Sequence, residues 1–240
     1  MADNFQLTWD AEGEHYFEAG TDRGVLYQID EQTGNYTNGE VWNGLTAVNS
    51  TPGGAEASEL WADNIKYAVL RSAETYGGTI ECYTYPDGFK QNNGEANLIA
   101  GVSGIVASGQ KRKAFGLSYR TKVGNEVDGL DHGYKIHLVY NATASPSEKA
   151  YQTINDSPDG ITMSFEFDTT PINVEGIANM KPTAHIEIDT TAAGMKTEDG
   201  RAFLAKLETC LYGDGTDVSK TPWLPKPKDL VDLYNGVLNP

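Results

Sequence analysis

Cysteine is nearly absent from this chain. Cys82 and Cys210 are the two present, and neither has a CxxC partner. Isolated thiols of this kind build neither a disulfide framework nor a zinc site, so both are expected to be buried and reduced. Long apolar runs are missing too: none approaches the roughly 20 residues a membrane-spanning helix needs. The opening MADNFQLTWDAEGEH is acidic and lacks the apolar core of a secretory leader. Synthesis and folding in a cytoplasm are therefore expected. Without a secretory route, the N-x-S/T matches beginning at Asn35, Asn49, Asn141 and Asn155 carry no weight. Basic residues are scarce, 18 Lys and Arg against 34 Asp and Glu, for a net charge of −16. Tight nucleic-acid binding depends on neutralising phosphates with Lys and Arg, so that class is excluded. An acidic wall that lets DNA pass without sticking is a separate matter, because like charges keep phosphates moving.

Catalytic signatures are equally thin. No G-x-S-x-G nucleophile elbow occurs. The run from Gly104 to Lys111 has the glycine spacing of a phosphate loop, but Gln110 intrudes before the lysine and Arg112 stands where a Ser or Thr would hold magnesium. It reads as a loop before a strand. Asn125, Asp128 and Asp131 lie among Gly124, Gly129 and Gly133, off the ligand spacing of an EF-hand, and suit a hairpin tip. His132 and His137 have no third ligand in their segment. Glu166 with Asp168, and Glu187 with Asp189, could form the carboxylate pair of a glycosidase. Acids two apart on a strand are more simply its solvated face. No cofactor or metal is expected, and nothing here points to an enzyme.

What is present is period-two alternation. Ile161, Met163, Phe165 and Phe167 oppose Thr162, Ser164, Glu166 and Asp168. Ile186 and Ile188 oppose His185, Glu187 and Asp189, while Tyr134, Ile136, Leu138 and Tyr140 oppose Lys135 and His137. Phe115, Leu117 and Tyr119 suggest another strand, with more at Val25–Ile29, Ile65–Leu70 and Thr79–Tyr85. The pattern predicts half-buried antiparallel strands with one wet face. One helix stands out: Thr197 can cap it, Glu198 and Asp199 suit its positive end, and Gly213 stops it. Phe203, Leu204, Leu207, Cys210 and Leu211 recur at helical spacing between these limits. Beyond it, Pro222, Pro225 and Pro227 precede a short amphipathic turn with Leu230, Leu233 and Tyr234. The expected division is a β domain with an N-terminal arm over residues 1–213 and an arm over 214–240 laid on a neighbouring surface.

Charge is unevenly spread. Residues 1–65 hold 12 acids against the single base Arg23, whereas residues 66–150 hold 8 acids and 10 bases. Lys111, Arg112, Lys113, Arg120 and Lys122 form a basic cluster in that middle third. It could meet the acidic first third of another copy, since complementary patches on one subunit favour head-to-tail contact. It could equally be a solvated strand edge that deters unwanted pairing.

Several segments together resemble the major tail protein of long-tailed, non-contractile bacteriophages: DRGVLY (22–27), VWNGLTAV (41–48), ADNIKY (62–67), IECYTYPDGF (80–89), the stretch 116–151 and FLAKLETCLYGDGTD (203–217). The resemblance spans most of the chain. It implies an antiparallel β-sandwich or barrel with a flanking α-helix and extended arms, and six-membered rings stacked head to tail into a tail tube. Each copy would give strands to a continuous inner barrel. The segment Asn49–Leu60 and the terminal arms would join rings. Implied partners are further copies of the chain, the tape-measure, tail-terminator and distal-tail proteins, and DNA in transient passage, with no membrane. Glu166, Asp168, Glu187 and Asp189 become candidates for the lumen wall. Lys111, Arg112, Lys113, Arg120, Lys122, Trp42 and Trp61 become candidates for subunit contacts. A carbohydrate-binding sandwich is the alternative, with Trp9, Trp42, Trp61 and Trp223 as sugar platforms.

Overall fold

The computed structural model describes residues 9–54, 56–72, 74–102, 104–151, 153, 160–216 and 221–239. Residues 1–8 of the expected N-terminal arm and the sequon at Asn155 lie outside them. In chain order the elements are β1 (Phe17–Ile29), β2 (Tyr36–Val41), β3 (Leu45–Ser50), β4 (Gly53–Gly54), β5 (Ala57–Ala62), β6 (Ile65–Arg71), β7 (Glu74–Thr75) and β8 (Gly77–Cys82). Then come α1 (Phe89–Asn92), β9 (Glu95–Asn97), β10 (Val106–Ser108), β11 (Phe115–Asn125), β12 (Gly129–Ala144), β13 (Met163–Thr169), β14 (His185–Asp189), α2 (Glu198–Tyr212) and α3 (Pro227–Tyr234).

The main sheet runs β2-β1-β11-β12-β13-β8-β3, every pairing antiparallel, with β14 joined to β12 as well. β12 is long enough to serve two partners. Its residues 135–139 pair with β14 and its residues 142–144 with β13. β13 and β14 thus occupy one strand line, interrupted by an excursion over residues 170–184. Reciprocal backbone bonds between Ile172 and Thr183, of 2.9 and 3.0 Å, close the foot of that excursion.

Alternation along the central strands feeds two cores. Leu26, Phe115, Leu117 and Val139 join Ile80, Phe89, Phe165 and Phe167 on one side. Val25, Tyr27, Ile136, Leu138 and Tyr140 on the other meet Phe203, Leu207 and Leu211 of α2 and Leu230 and Leu233 of α3. The wet face expected opposite Ile136 and Leu138 is therefore covered: His137 is only 7% exposed. An alternating strand keeps its polar side in water only when no second layer packs there. On β13 none does, and Ser164, Glu166 and Asp168 face solvent as expected.

Local chemistry sets the helix limits. The Gly200 amide donates to Thr197 Oγ1 at 3.1 Å, Glu198 and Asp199 occupy the first turn, and Gly213 ends α2 at φ 82. A cap of this kind stabilises a helix by about 1 kcal/mol. Pro227 opens α3, where its missing N–H costs nothing.

Residues 221–239 lie along the chain's own domain. Proline-rich backbone travels extended, and it pairs along the edge of β2: the Gly39 amide donates to the Pro222 carbonyl, and Leu224 bridges Tyr36. The Tyr140 hydroxyl donates to the Pro225 carbonyl at 2.7 Å. Leu224, Leu230 and Leu233 are buried, each worth about 1.5–3 kcal/mol of burial.

Candidate assembly surface

Three consecutive ladders, β3 with β8, β4 with β7, and β5 with β6, make one two-stranded ribbon from Leu45 to Cys82. Its root is fixed by close packing. A Cβ on Gly78 would lie 2.1 Å from the Asn49 carbonyl oxygen, so only glycine fits beside β3. Its tip is a two-residue turn in which Asp63 and Asn64 both have positive φ, 50 and 61. Such residues suit the turn that matches strand twist. Between root and tip nearly every side chain of β5 and β6 is exposed. The register puts Leu60, Ile65, Ala68 and Leu70 on one face. Trp61 and Val69 share the other with the Lys66–Glu59 ion pair. Trp61 is 65% exposed and Tyr67 73%.

Four near-parallel rings anchor the ribbon root to the sheet. Tyr119 stacks on His137 at 4.6 Å, His137 on His185 at 5.4 Å, and His185 on Tyr76 at 4.4 Å. His137 Nδ1 and His185 Nε2 are 3.2 Å apart and share one hydrogen bond, and His137 Nε2 pairs with Thr121 Oγ1 at 3.0 Å. Tyr76 adds a 2.5 Å hydroxyl bond to Ser50 on the ribbon. Burial, and then the neighbouring His137, push the His185 pKa down to about 4. Burial also lowers that of His137, against the pull of Glu187 and Glu18.

A second exposed apolar element is the β9–β10 hairpin. The Leu98 amide donates to the Ile105 carbonyl at 2.9 Å, and the loop beyond presents Leu98, Ile99, Val102 and Ile105 to water. Lys111 follows, exposed and without an ion pair among the described residues. Among the described residues Arg112 bonds only the Ala144 carbonyl. Lys113 pairs with Glu31 at 3.1 Å. Arg120 is committed internally, in a bidentate pair with Asp22 at 2.7 and 2.8 Å and over the Tyr134 ring at 4.6 Å. That pairing holds the Asp22 carboxyl below its ordinary pKa. Lys122 stands half-buried near the same pair.

The structure separates the four acids. Glu166 and Asp168 are exposed on the outer face of β13. Register sets Glu81 and Thr79 of β8 beside them, and Glu81 accepts from Asn49 at 3.0 Å. Glu81 is a third acid of this face, legible from its place in the Thr79–Tyr85 alternation but not singled out there. Glu187 is engaged by Lys135 at 3.1 Å, and Asp189 accepts from the Thr191 amide and hydroxyl at 2.7 and 2.6 Å.

The aromatic candidates divide as well. Trp42 is 3% exposed, tilted on Phe89 at 4.7 Å, and donates to the Thr84 carbonyl, so it fills the core and has no surface to offer a neighbour. Trp223 packs against the helix-side core, while Trp9 and Trp61 are exposed on separate elements. The Asn125–Asp131 segment forms a hairpin tip: Asn125 Oδ1 accepts from the Val127 and Asp128 amides, and Asp128 pairs with His132. Among the described residues no three His, Cys, Asp or Glu side chains are grouped to hold a metal.

A family model described as phage tail tube protein matches residues 16–213. The chain belongs to the phage tail tube protein family. It is a structural component of the virion tail, and its mainly antiparallel β fold with a flanking helix is the one expected. Among solved structures this tail tube protein is similar to a chain of an extracellular contractile injection system, the PVC sheath–tube complex in its extended state. The identity is 11% and the TM-score 0.31, over 70% of this chain and 88% of that one. No curated protein matches it.

Proposed function

We propose that the chain forms six-membered rings, stacked head to tail, whose bore carries DNA out of the virion during ejection. The observation that carries this reading is the ribbon. A two-stranded ribbon with apolar side chains on both faces is marginal alone in water, and further copies supply the layer it lacks. Glu166 and Asp168, joined by Glu81, are the acids assigned to the bore. Glu187 and Asp189 contribute less there, because their charges are engaged within the chain. Lys111, Arg112 and Lys122 are assigned to contacts between copies, and Trp61 with them. The tape-measure protein would fill the bore, and terminator and distal-tail proteins would close its ends. The protein would be made in the host cytoplasm and would have no membrane role.

Negative-stain electron microscopy of the purified chain over a concentration series tests the reading. Rings or hollow tubes are expected, and replacing Leu60 and Leu70 by aspartate should abolish them while the chain stays folded. Tubes that persist in that variant would overturn the ribbon's role.

A further inference from the structure

The β9–β10 hairpin has no assigned partner, yet it is a long uncharged stretch in a chain carrying −16. Residues 96–110 hold no Asp, Glu, Lys or Arg. Its apolar tip is exposed at Leu98 (68%), Ile99, Val102, Ile105 and Val106. Copies of so acidic a chain repel one another over most of their surface, so close approach needs neutral or basic ground. This hairpin offers both, because Lys111 and Arg112 stand at its base without carboxylate partners among the described residues.

The ribbon is its counterpart. Residues 53–75 carry four acids against two bases. Lys66 is taken by Glu59, which leaves Glu56, Glu74 and Arg71 exposed near the ribbon's base and Asp63 exposed in its turn, a net acidic remainder. The apolar face of Leu60, Ile65 and Leu70 lies farther out toward the tip. Each element thus joins exposed apolar side chains to free charge, net acidic on the ribbon and basic at the foot of the hairpin. We propose that the β9–β10 hairpin is the seat of the ribbon from another copy of this chain. The contact is heterologous, since seat and ribbon are different surfaces, and such contacts propagate into rings or stacks. The inference rests on the assembly reading above and names the two surfaces that meet.

Two chains, one bearing Ile65→Cys and the other Ile99→Cys with a size tag, are mixed under assembly conditions and oxidised. The native thiols are buried and stay silent. A disulfide joining the two different chains is the expected product. Ile65→Cys joined to itself, or tubes without the mixed product, would overturn the seat while leaving the tube reading intact. The mixed product without tubes would uphold the seat and overturn the tube. A chain that stays monomeric and uncrosslinked overturns both. Independently, Lys111→Glu with Arg112→Glu should raise the concentration needed for assembly at least about tenfold, since juxtaposed like charges cost several kcal/mol. Adding Glu56→Lys and Glu74→Lys to the same chain should restore assembly. A lack of restoration counts against the pairing.

Discussion

The stacked imidazoles at the ribbon root make stability depend on pH in a window where few other groups titrate. In the unfolded chain a histidine takes its proton near pH 6.5, whereas folded His185 holds out until about pH 4. Above 6.5 both states are neutral there and the stack contributes fully. As pH falls from 6.5 toward 4, only the unfolded chain gains the proton, so stability declines, and below 4 the loss is complete. At pH 5 the mismatch spans about 1.5 pH units for one proton, or ~2 kcal/mol. His137, shifted in the same direction, adds to the loss. A second charge on the pair is disfavoured because the ring nitrogens lie 3.2 Å apart. The perturbation is His185→Gln, which keeps a hydrogen-bonding group opposite His137 but cannot titrate. Urea unfolding of both proteins at pH 7.5 and pH 5, at concentrations too low for assembly, isolates the effect because the carboxylates are common to both. The wild type should lose about 2 kcal/mol more than the variant over that interval. Equal losses, or an imidazole NMR titration putting His185 at or above its ordinary pKa, would refute the reasoning.

Other perturbations probe the layers around the stack. Thr197→Ala removes the acceptor for the Gly200 amide and should lower stability by about 1 kcal/mol in thermal unfolding. Leu233→Ala opens a cavity between α3 and the helix-side core, and a loss of about 2–5 kcal/mol is expected by urea titration. A loss under 0.5 kcal/mol would mean that the C-terminal segment leaves the domain in solution. Gly78→Ala forces β3 away from β8 and should give an aggregated or protease-sensitive ribbon, read by limited proteolysis.

Short-range signals were the legible ones. β14 and α2 fall on the residues their alternation and capping assign, because two-residue periodicity and a Thr cap act within a few positions. What covers a strand is a long-range matter. The Tyr134–Tyr140 and Ile65–Leu70 patterns are alike in kind, yet the first is sealed on both sides and the second stands in water. Tryptophan is ambiguous for the same reason: a large ring suits a core and an interface equally, and Trp42 is buried in the core while Trp61 stands exposed. The C-terminal prolines announced extended backbone but not whose edge it would follow. Among the acids, alternation identified the outward positions on β13. It could not reveal that Lys135, one strand away, would engage Glu187.

The interruption between β13 and β14 has a practical consequence. Because Ile172 and Thr183 are already bonded to each other, the two ends of the excursion are held together whatever lies between them. A peptide spliced in at residues 175–181, which are mostly exposed, would meet little added closure entropy and leave the strand register untouched. The fold thus provides a place to carry foreign sequence, once per subunit and at regular intervals along whatever the subunits build.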